Sequence, residues 1–345
     1  MEFGLFYQLP AAPEQNAAQR YAETLDQIVL GEALGFDTAW LAEMHFIPAY
    51  SVLPSPLVLA AAVAARTQRI RVGTAVVLLP LHDPLRCAED AAMVDVLSKG
   101  RLELGIGRGG IPEHFRGFGI RMRQRTDRFH EALQVLTRAW ADSPLTFDGE
   151  YFHYDTINVV PKPVQRPGPR LRMAANSLES MEYAGREGLA VMVSPAQMPR
   201  ALLREALARY RELRGGRVSP RDVAVMAPVF VAESAAAAQE AMHASVSRFL
   251  RVRADAAFSG YLRFGGDPDD VPESLQRMND ATFEDVVRES ALFGDAALVR
   301  DGIARLCEDL GAGHVLCWFN AGGLVPHAQV CASMRRFAEQ VSDTM

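Results

Sequence analysis

Short apolar runs rich in β-branched residues alternate along the chain with longer stretches in which apolar residues recur every three or four positions. The first pattern predicts buried strands, and the second predicts amphipathic helices laid over them. Eight such pairs can be counted. Residues 3–7 form the first apolar run, after which Tyr21, Leu25, Ile28 and Val29 recur at helical spacing up to Gly35, where a helix stop belongs. Further strands are predicted at 38–41, 70–79, 102–106, 171–175, 189–193, 223–231 and 314–319. Helices are predicted at 56–66, 85–97, 129–140, 178–186, 200–213 and 296–310, with Pro326 opening a closing helix. Residues 142–169 are polar and Pro-rich, and 233–293 stand as an insertion between strand seven and its helix.

Eight strand-then-helix units predict an α/β fold, a closed (β/α)₈ barrel forming one domain over residues 1–345, with an open doubly wound sheet as the alternative. The length of 345 residues fits, since α/β barrels of about 250 residues and more commonly remain single domains. In such a barrel, catalytic groups stand where strands end and helices begin.

Composition narrows the function classes. Hydrophobic residues make up 49% and charged residues 23%, ordinary globular usage. The net charge of −6 is spread without blocks, so neither a nucleic-acid backbone nor another polyanion is expected as a partner. Among 36 basic residues only Lys99 and Lys162 are lysines, a bias that points to genomic base composition rather than to a need for guanidinium chemistry. Four widely spaced cysteines form no CxxC pair and have no histidine at ligand spacing, so neither a disulfide framework nor a metal site is expected. No apolar run approaches the roughly 18 residues needed to cross a bilayer. The expectation is a cytoplasmic protein without a membrane partner.

The strand ends carry the chemistry. Glu43-Met44-His45-Phe46 follows strand two, and the imidazole of His45, beside a carboxylate, is placed to exchange protons. Gly105-Ile106-Gly107-Arg108-Gly109-Gly110 closes strand four; Ile111-Pro112 rather than a helix follows it, which argues against a dinucleotide fingerprint. The run offers either a side-chain-free approach beside Arg108 or a plain tight turn. Asn176-Ser177 stands immediately before helix five, so its first-turn amides and the hydroxyls of Ser177 and Ser180 form a candidate anion site, although capping alone accounts for one such residue. Closure places strands four and five side by side, which adds Arg108 to that site. Arg125 and Arg128 open helix four and are candidates for a second cation, with Arg128 preferred. His82, His114 and His130 receive no assignment.

These residues resemble the bacterial-luciferase-like flavin monooxygenases over nearly the whole chain. The likeness is carried by the run from Gly35-Phe36-Asp37 to Glu43-Met44-His45-Phe46, by Val72-Gly73-Thr74-Ala75 with Leu79-Pro80, and by Ser98-Lys99-Gly100-Arg101 with the glycine run. Ala175-Asn176-Ser177, Gly188-Leu189 and Asn320-Ala321-Gly322-Gly323 agree as well. The resemblance implies FMN at the C-terminal mouth, with phosphate held by Arg108, Asn176, Ser177 and Ser180. It also implies a non-prolyl cis peptide at Ala75-Val76 beneath the flavin ring, with Gly107 beside it. It further implies a homodimer paired through the helices after strands two and three, where Ala60 to Ala65 permit close approach.

The implied activity is a two-component monooxygenase using FMNH₂ from a separate reductase and O₂ to oxygenate a small, largely apolar substrate. The insertion, with Phe258, Tyr261, Phe264 and Phe283 in its segment 253–293, would serve as a mobile lid. The alternatives are a deazaflavin-dependent dehydrogenase on the same barrel and a non-catalytic flavin-binding protein. Two departures from the family pattern favour an oxygenation other than light emission: Met44 replaces the first of two adjacent histidines, and Gly107 replaces a reactive cysteine of the luciferases.

Overall fold

The computed structural model describes residues 1–268 and 270–342. Eight strands are hydrogen-bonded in ring order: β1 (Glu2–Tyr7), β2 (Thr38–Leu41), β3 (Arg71–Thr74), β4 (Leu102–Gly107), β5 (Arg170–Ala174), β6 (Ala190–Val193), β7 (Val223–Val231) and β8 (His314–Trp318). All adjacent pairs are parallel, and β8 returns to β1, with Glu2 opposite His314 and Leu5 opposite Cys317. The sheet is therefore closed, and the open-sheet alternative falls.

Around the barrel lie α1 (Ala17–Ala33), α2 (Pro56–Arg66), α3 (Pro84–Leu97), α4 (Arg125–Ala139), α5 (Leu178–Arg186), α6 (Arg200–Leu213), α7 (Ala296–Leu310) and α8 (His327–Gln340). Side chains of Asn16, Asp83, Ser177 and Asp295 accept first-turn amide hydrogens of α1, α3, α5 and α7, which satisfies donors that a helix start otherwise leaves unpaired. No helix among the described residues is long and apolar enough to cross a membrane.

The lower barrel is filled rather than hollow. Trp40 of β2 is fully buried, and a Cβ at Gly4 or Gly73 would run into its indole. That explains a glycine inside β3, where it would otherwise weaken the strand. The Trp40 indole N–H donates to His314 Nε2 at 3.2 Å. Glu103 of β4 takes Arg71 on one oxygen and the fully buried Arg172 on the other, each at 2.8 Å.

Outside the insertion, the structure departs from the sequence expectations in three places. The strand expected at 70–79 breaks after Thr74 at a cis Ala75-Val76 bond, and Val77–Leu78 then rejoins the upper end of β4. Helix α4 begins at Arg125, four residues before the expected start, because its first turn is polar and invisible to hydrophobic periodicity. The polar stretch 142–169 holds an antiparallel hairpin, Leu145–Asp148 with His153–Ile157.

The insertion is mostly helical: Ala235–Ala254 runs through a π-helical stretch, Asp255–Ser259, into Gly260–Arg263, and Glu273–Asp280 and Phe283–Glu289 follow. It returns through Leu292–Gly294, a short strand parallel to β7. Of the aromatic residues expected to cover a ligand, Tyr261 lines the cavity at the barrel mouth. Phe264 instead lies under the Arg116 guanidinium, and Phe283 packs between His243 and Phe293. Asp269, within the expected lid, lies outside the described residues.

Candidate active site

A cavity of about 680 Å³ opens at the C-terminal rim of the barrel. Its wall includes Glu43 and Met44 after β2, Ala75 and Val76 after β3, Gly107 to Ile111 after β4, Asn176, Ser177 and Ser180 at β5 and α5, and Trp318 of β8. The insertion roofs it with Phe249, Arg253, Ala257, Tyr261 and Leu275. The volume suits a cofactor-sized ligand, and its position is the usual one for barrel enzymes.

One side of this cavity is cationic. Ser177 caps α5 and forms a reciprocal capping box with Ser180, whose amide donates to Ser177 Oγ at 3.2 Å. The Arg108 guanidinium approaches Ser177 Oγ at 3.5 Å and Thr126 Oγ1 at 3.4 Å, and pairs with the exposed Glu179 at 2.6 Å. Arg125 shares the cavity wall; burial and then the charge of Arg108 hold its pKa below the ordinary guanidinium value, with Glu179 a partial offset. Two guanidinium groups and the amino end of a helix thus line one side of the cavity, with the solvent-exposed Glu179 carboxylate paired to Arg108, a geometry suited to a phosphate dianion. Asn176 is committed to the barrel itself: its Oδ1 accepts the Ser194 amide hydrogen at 2.8 Å, and its Nδ2 donates to Gln197.

Arg128 requires a correction. Its guanidinium donates to the Pro80 carbonyl at 3.1 Å, stacks over Tyr151 and Phe152, and does not line the cavity. Arg125, three residues earlier on α4, lines the cavity instead, while the Pro80 carbonyl and the two rings hold the Arg128 side chain away from it.

Gly107 faces Val76 across the rim. A Cβ at Gly107 would lie 2.5 Å from Val76 Cγ2, so the missing side chain lets the cis peptide segment sit against the end of β4. Thr74 Oγ1 fastens the same corner by donating to the Gly105 carbonyl at 2.7 Å.

Glu43 organises the other side. Its buried carboxylate binds His45 Nε2 at 2.8 Å and His82 Nε2 at 2.9 Å through Oε1, and accepts the Leu78 amide hydrogen at 3.1 Å through Oε2. Burial raises the Glu43 pKa, but hydrogen bonds from His45 and His82 outweigh it and leave the carboxyl below its ordinary value. Burial likewise pulls His82 down, and Glu43 more than offsets it, so His82 is raised.

His45 is not at the mouth, as its strand-end position suggested: it is buried beneath the wall against Phe118 and His114, and Met44 takes the cavity-facing place. His114, unassigned from sequence, stands in that wall. Its Nε2 accepts the His45 amide hydrogen at 3.3 Å, and its Nδ1 is buried without a partner. Sequence carried no signal for it, since it arrives from the short helix Pro112–Gly117 rather than from a strand end. His130 stacks on Tyr183, away from this cluster. Among the described residues no group of three or more His, Cys, Asp or Glu could hold a metal ion.

Burial, with the nearby His45 as the next cause, holds His114 down to about 4. A free imidazole takes up its proton near pH 6.5. His114 therefore contributes stability that is intact above pH 6.5 and is lost as pH falls from 6.5 towards 4. An NMR titration of the His114 ring should show a midpoint near pH 4, and His114→Gln should lose less stability across that window. A midpoint at or above pH 6 would show that its burial does not control its charge.

A family profile described as luciferase-like monooxygenase matches residues 1–314. The uncharacterized protein y4wF of Sinorhizobium fredii (strain NBRC 101917 / NGR234) is 32% identical over 340 residues, covering 97% of this chain and 94% of that protein. The oxygenase component of the flavin-dependent trigonelline monooxygenase of Acinetobacter baylyi is 28% identical over 201 residues, covering 57% of this chain and 55% of that one. Among solved structures, the monooxygenase RslO1 from Streptomyces bottropensis superposes with a TM-score of 0.86 at 28% identity, covering 100% of this chain and 99% of that one. An F420-dependent secondary alcohol dehydrogenase (TM-score 0.76, 20% identity) is alike in fold alone.

Proposed function

The chain belongs to the luciferase-like monooxygenase family, and from that premise we propose that it is a cytoplasmic flavoenzyme using reduced FMN and O₂ to oxygenate a small organic substrate. The observation that carries the reading is the convergence of Arg108, Arg125 and the amino end of α5 on one side of the barrel-mouth cavity. Ser177, Ser180 and Arg108 would hold the phosphate, Arg125 replacing Arg128 as second cation, while Asn176 holds the end of β5 in place. Ala75, Val76 and Gly107 supply a floor with little side chain for the flat ring. Bound reduced FMN supplies the electrons that activate oxygen. The reductase is proposed as a separate protein, in line with a relative named as an oxygenase component. All four cysteines are free thiols, which suits a reducing compartment.

The residues of this chain position and exclude. The insertion acts as a lid that keeps water from the reacting centre. His45 is the group that exchanges the proton; Glu43 Oε1 links its Nε2 to that of the half-buried His82, which connects the chain to solvent. Met44, facing the cavity, holds no proton to exchange, which favours an oxygenation without light.

We further propose a homodimer paired through α2 and α3. Ala60 and Ala64 face the protein's own core, but Val58, Met93, Val96 and Leu97 are exposed apolar side chains on those two helices. Light scattering at micromolar concentration should give the mass of two chains; a monomer alone refutes it.

Arg108→Ala should weaken FMN binding by about 1.5 to 3 kcal/mol, the range for a charged hydrogen bond. Titration with FMN and with a deazaflavin decides the cofactor: unchanged FMN affinity in the variant, or tighter binding of the deazaflavin to wild type, overturns the FMN assignment and favours the dehydrogenase reading. His45→Ala should lower coupled turnover by at least ~10², the lower bound for a positioned acid–base group, while FMN affinity stays unchanged. Near-full turnover would make His45 purely structural, and absence of any reduced-flavin oxygen consumption in wild type would leave a non-catalytic flavin-binding protein.

A further inference from the structure

The roof of the cavity holds a buried cation that no carboxylate of the described residues neutralises. Arg253 stands in the last turn of the helix Ala235–Ala254 and is 5% exposed. Its Nη1 donates to the Ala196 carbonyl at 2.9 Å, and its Nε is buried without a hydrogen-bond partner. No ion pair involves it among the described residues, whereas Arg71, Arg108 and Arg172 each have a carboxylate. Burial holds its pKa below the ordinary guanidinium value and only Tyr50 acts against that, yet a guanidinium keeps its proton in proteins. A buried charge without a partner is among the costliest things a fold can contain, and such charges are normally paired. Its position in a ligand-sized cavity wall suggests where the partner comes from.

The surroundings describe the rest of that partner. Phe249, Arg253, Ala257 and Tyr261, spaced four apart, all line the cavity. A stripe at strict four-residue spacing drifts off one face of an ordinary α-helix; the π-helical Asp255–Ser259, with its slower rotation, keeps the later members on it. Beneath Arg253 the guanidinium covers the Phe249 ring at 5.4 Å, Phe249 meets Trp318 edge-on at 4.7 Å, and Trp318 meets Phe6 at 5.3 Å. Tyr50 completes the box from the β2 side. Phe6 and Trp318 belong to β1 and β8, which lie across the ring from β4 and β5, where Arg108 and Ser177 stand. The phosphate side has its own cations, so Arg253 is left for another ligand.

Resting on the reading of this cavity as the place of oxygenation, we propose that Arg253 pairs with a carboxylate on the substrate, whose flat apolar body occupies the box of Phe6, Tyr50, Phe249 and Trp318. The substrate class is an aromatic or cyclic acid. A neutral ligand of the same shape leaves the guanidinium unpaired and binds more weakly.

Calorimetric titration of the FMN-saturated protein with benzoate and with its neutral isostere benzamide tests this. Wild type should bind benzoate at least ~10-fold more tightly, the effect of one charge-assisted contact. Arg253→Met should abolish that preference and Arg253→Lys should restore part of it, with FMN affinity in all three within about twofold. Equal binding of the two probes by wild type, or a benzoate preference that survives in Arg253→Met, overturns the proposal. So does a loss of FMN affinity in Arg253→Met that matches the loss for benzoate, which would make Arg253 a counter-ion of the cofactor. Failure of wild type to bind FMN strikes the flavin reading instead; repeating the benzoate and benzamide titrations without FMN then still decides the role of Arg253.

Discussion

Closure of eight parallel strands into a ring brings every carboxyl-terminal strand end to one rim, and the remaining features of this molecule follow from that constraint. Parallel pairing requires each connection to cross back outside the barrel, so the helices form the outer layer and the loops entering them collect around a single mouth. Residues separated by more than a hundred positions, such as Phe6, Ser177 and Trp318, become walls of one cavity. The insertion after β7 spans that mouth because both of its ends are anchored there, through β7 itself and through the parallel strand Leu292–Gly294.

Charge is handled in opposite ways at the two ends. At the amino-terminal end Glu103 is shared by Arg71 and Arg172, and Glu2 lies near His314, so cations in the filled lower barrel meet carboxylates. The His314 imidazole, whose Nδ1 lies 3.4 Å from the Glu2 carboxylate, brings Glu2 down to about 2 against the opposing effect of burial. At the mouth, Arg108 pairs with one exposed carboxylate, and Arg125 and Arg253 have no ion pair among the described residues. At the lower end the arginines meet a carboxylate of the protein itself, although Arg172 Nη1 and Nη2 and His314 Nδ1 are buried without a hydrogen-bond partner. The upper end is left cationic, with stability given up where a ligand binds.

The strand-end rule named Glu43, Arg108, Asn176, Ser177 and Ser180, and the resemblance named Ala75 and Val76; all of them line the barrel-mouth cavity. The rule failed in two informative ways. His45 and Met44 are neighbours and both are buried, and only the turn after β2 determines that the thioether lines the cavity while the imidazole lies beneath its wall. Arg125 and Arg128 lie on one helix whose true start was masked by its polar first turn, so its phase relative to the barrel could not be read. His114 and Arg253 were invisible for a different reason: both come from segments outside the strand–helix repeat.

The sequence by itself determined the alternation of strand and helix, the number of units and the candidates at the end of each strand, since these depend on hydrophobic period and on residues adjacent in the chain. Tertiary structure alone decided that the sheet closes, which side chains at the rim turn inward, and that a buried arginine on the insertion faces the cavity with no counter-charge among the described residues. Those outcomes depend on how segments far apart in the chain pack together, and packing rotates a helix or a turn by angles that no local pattern encodes.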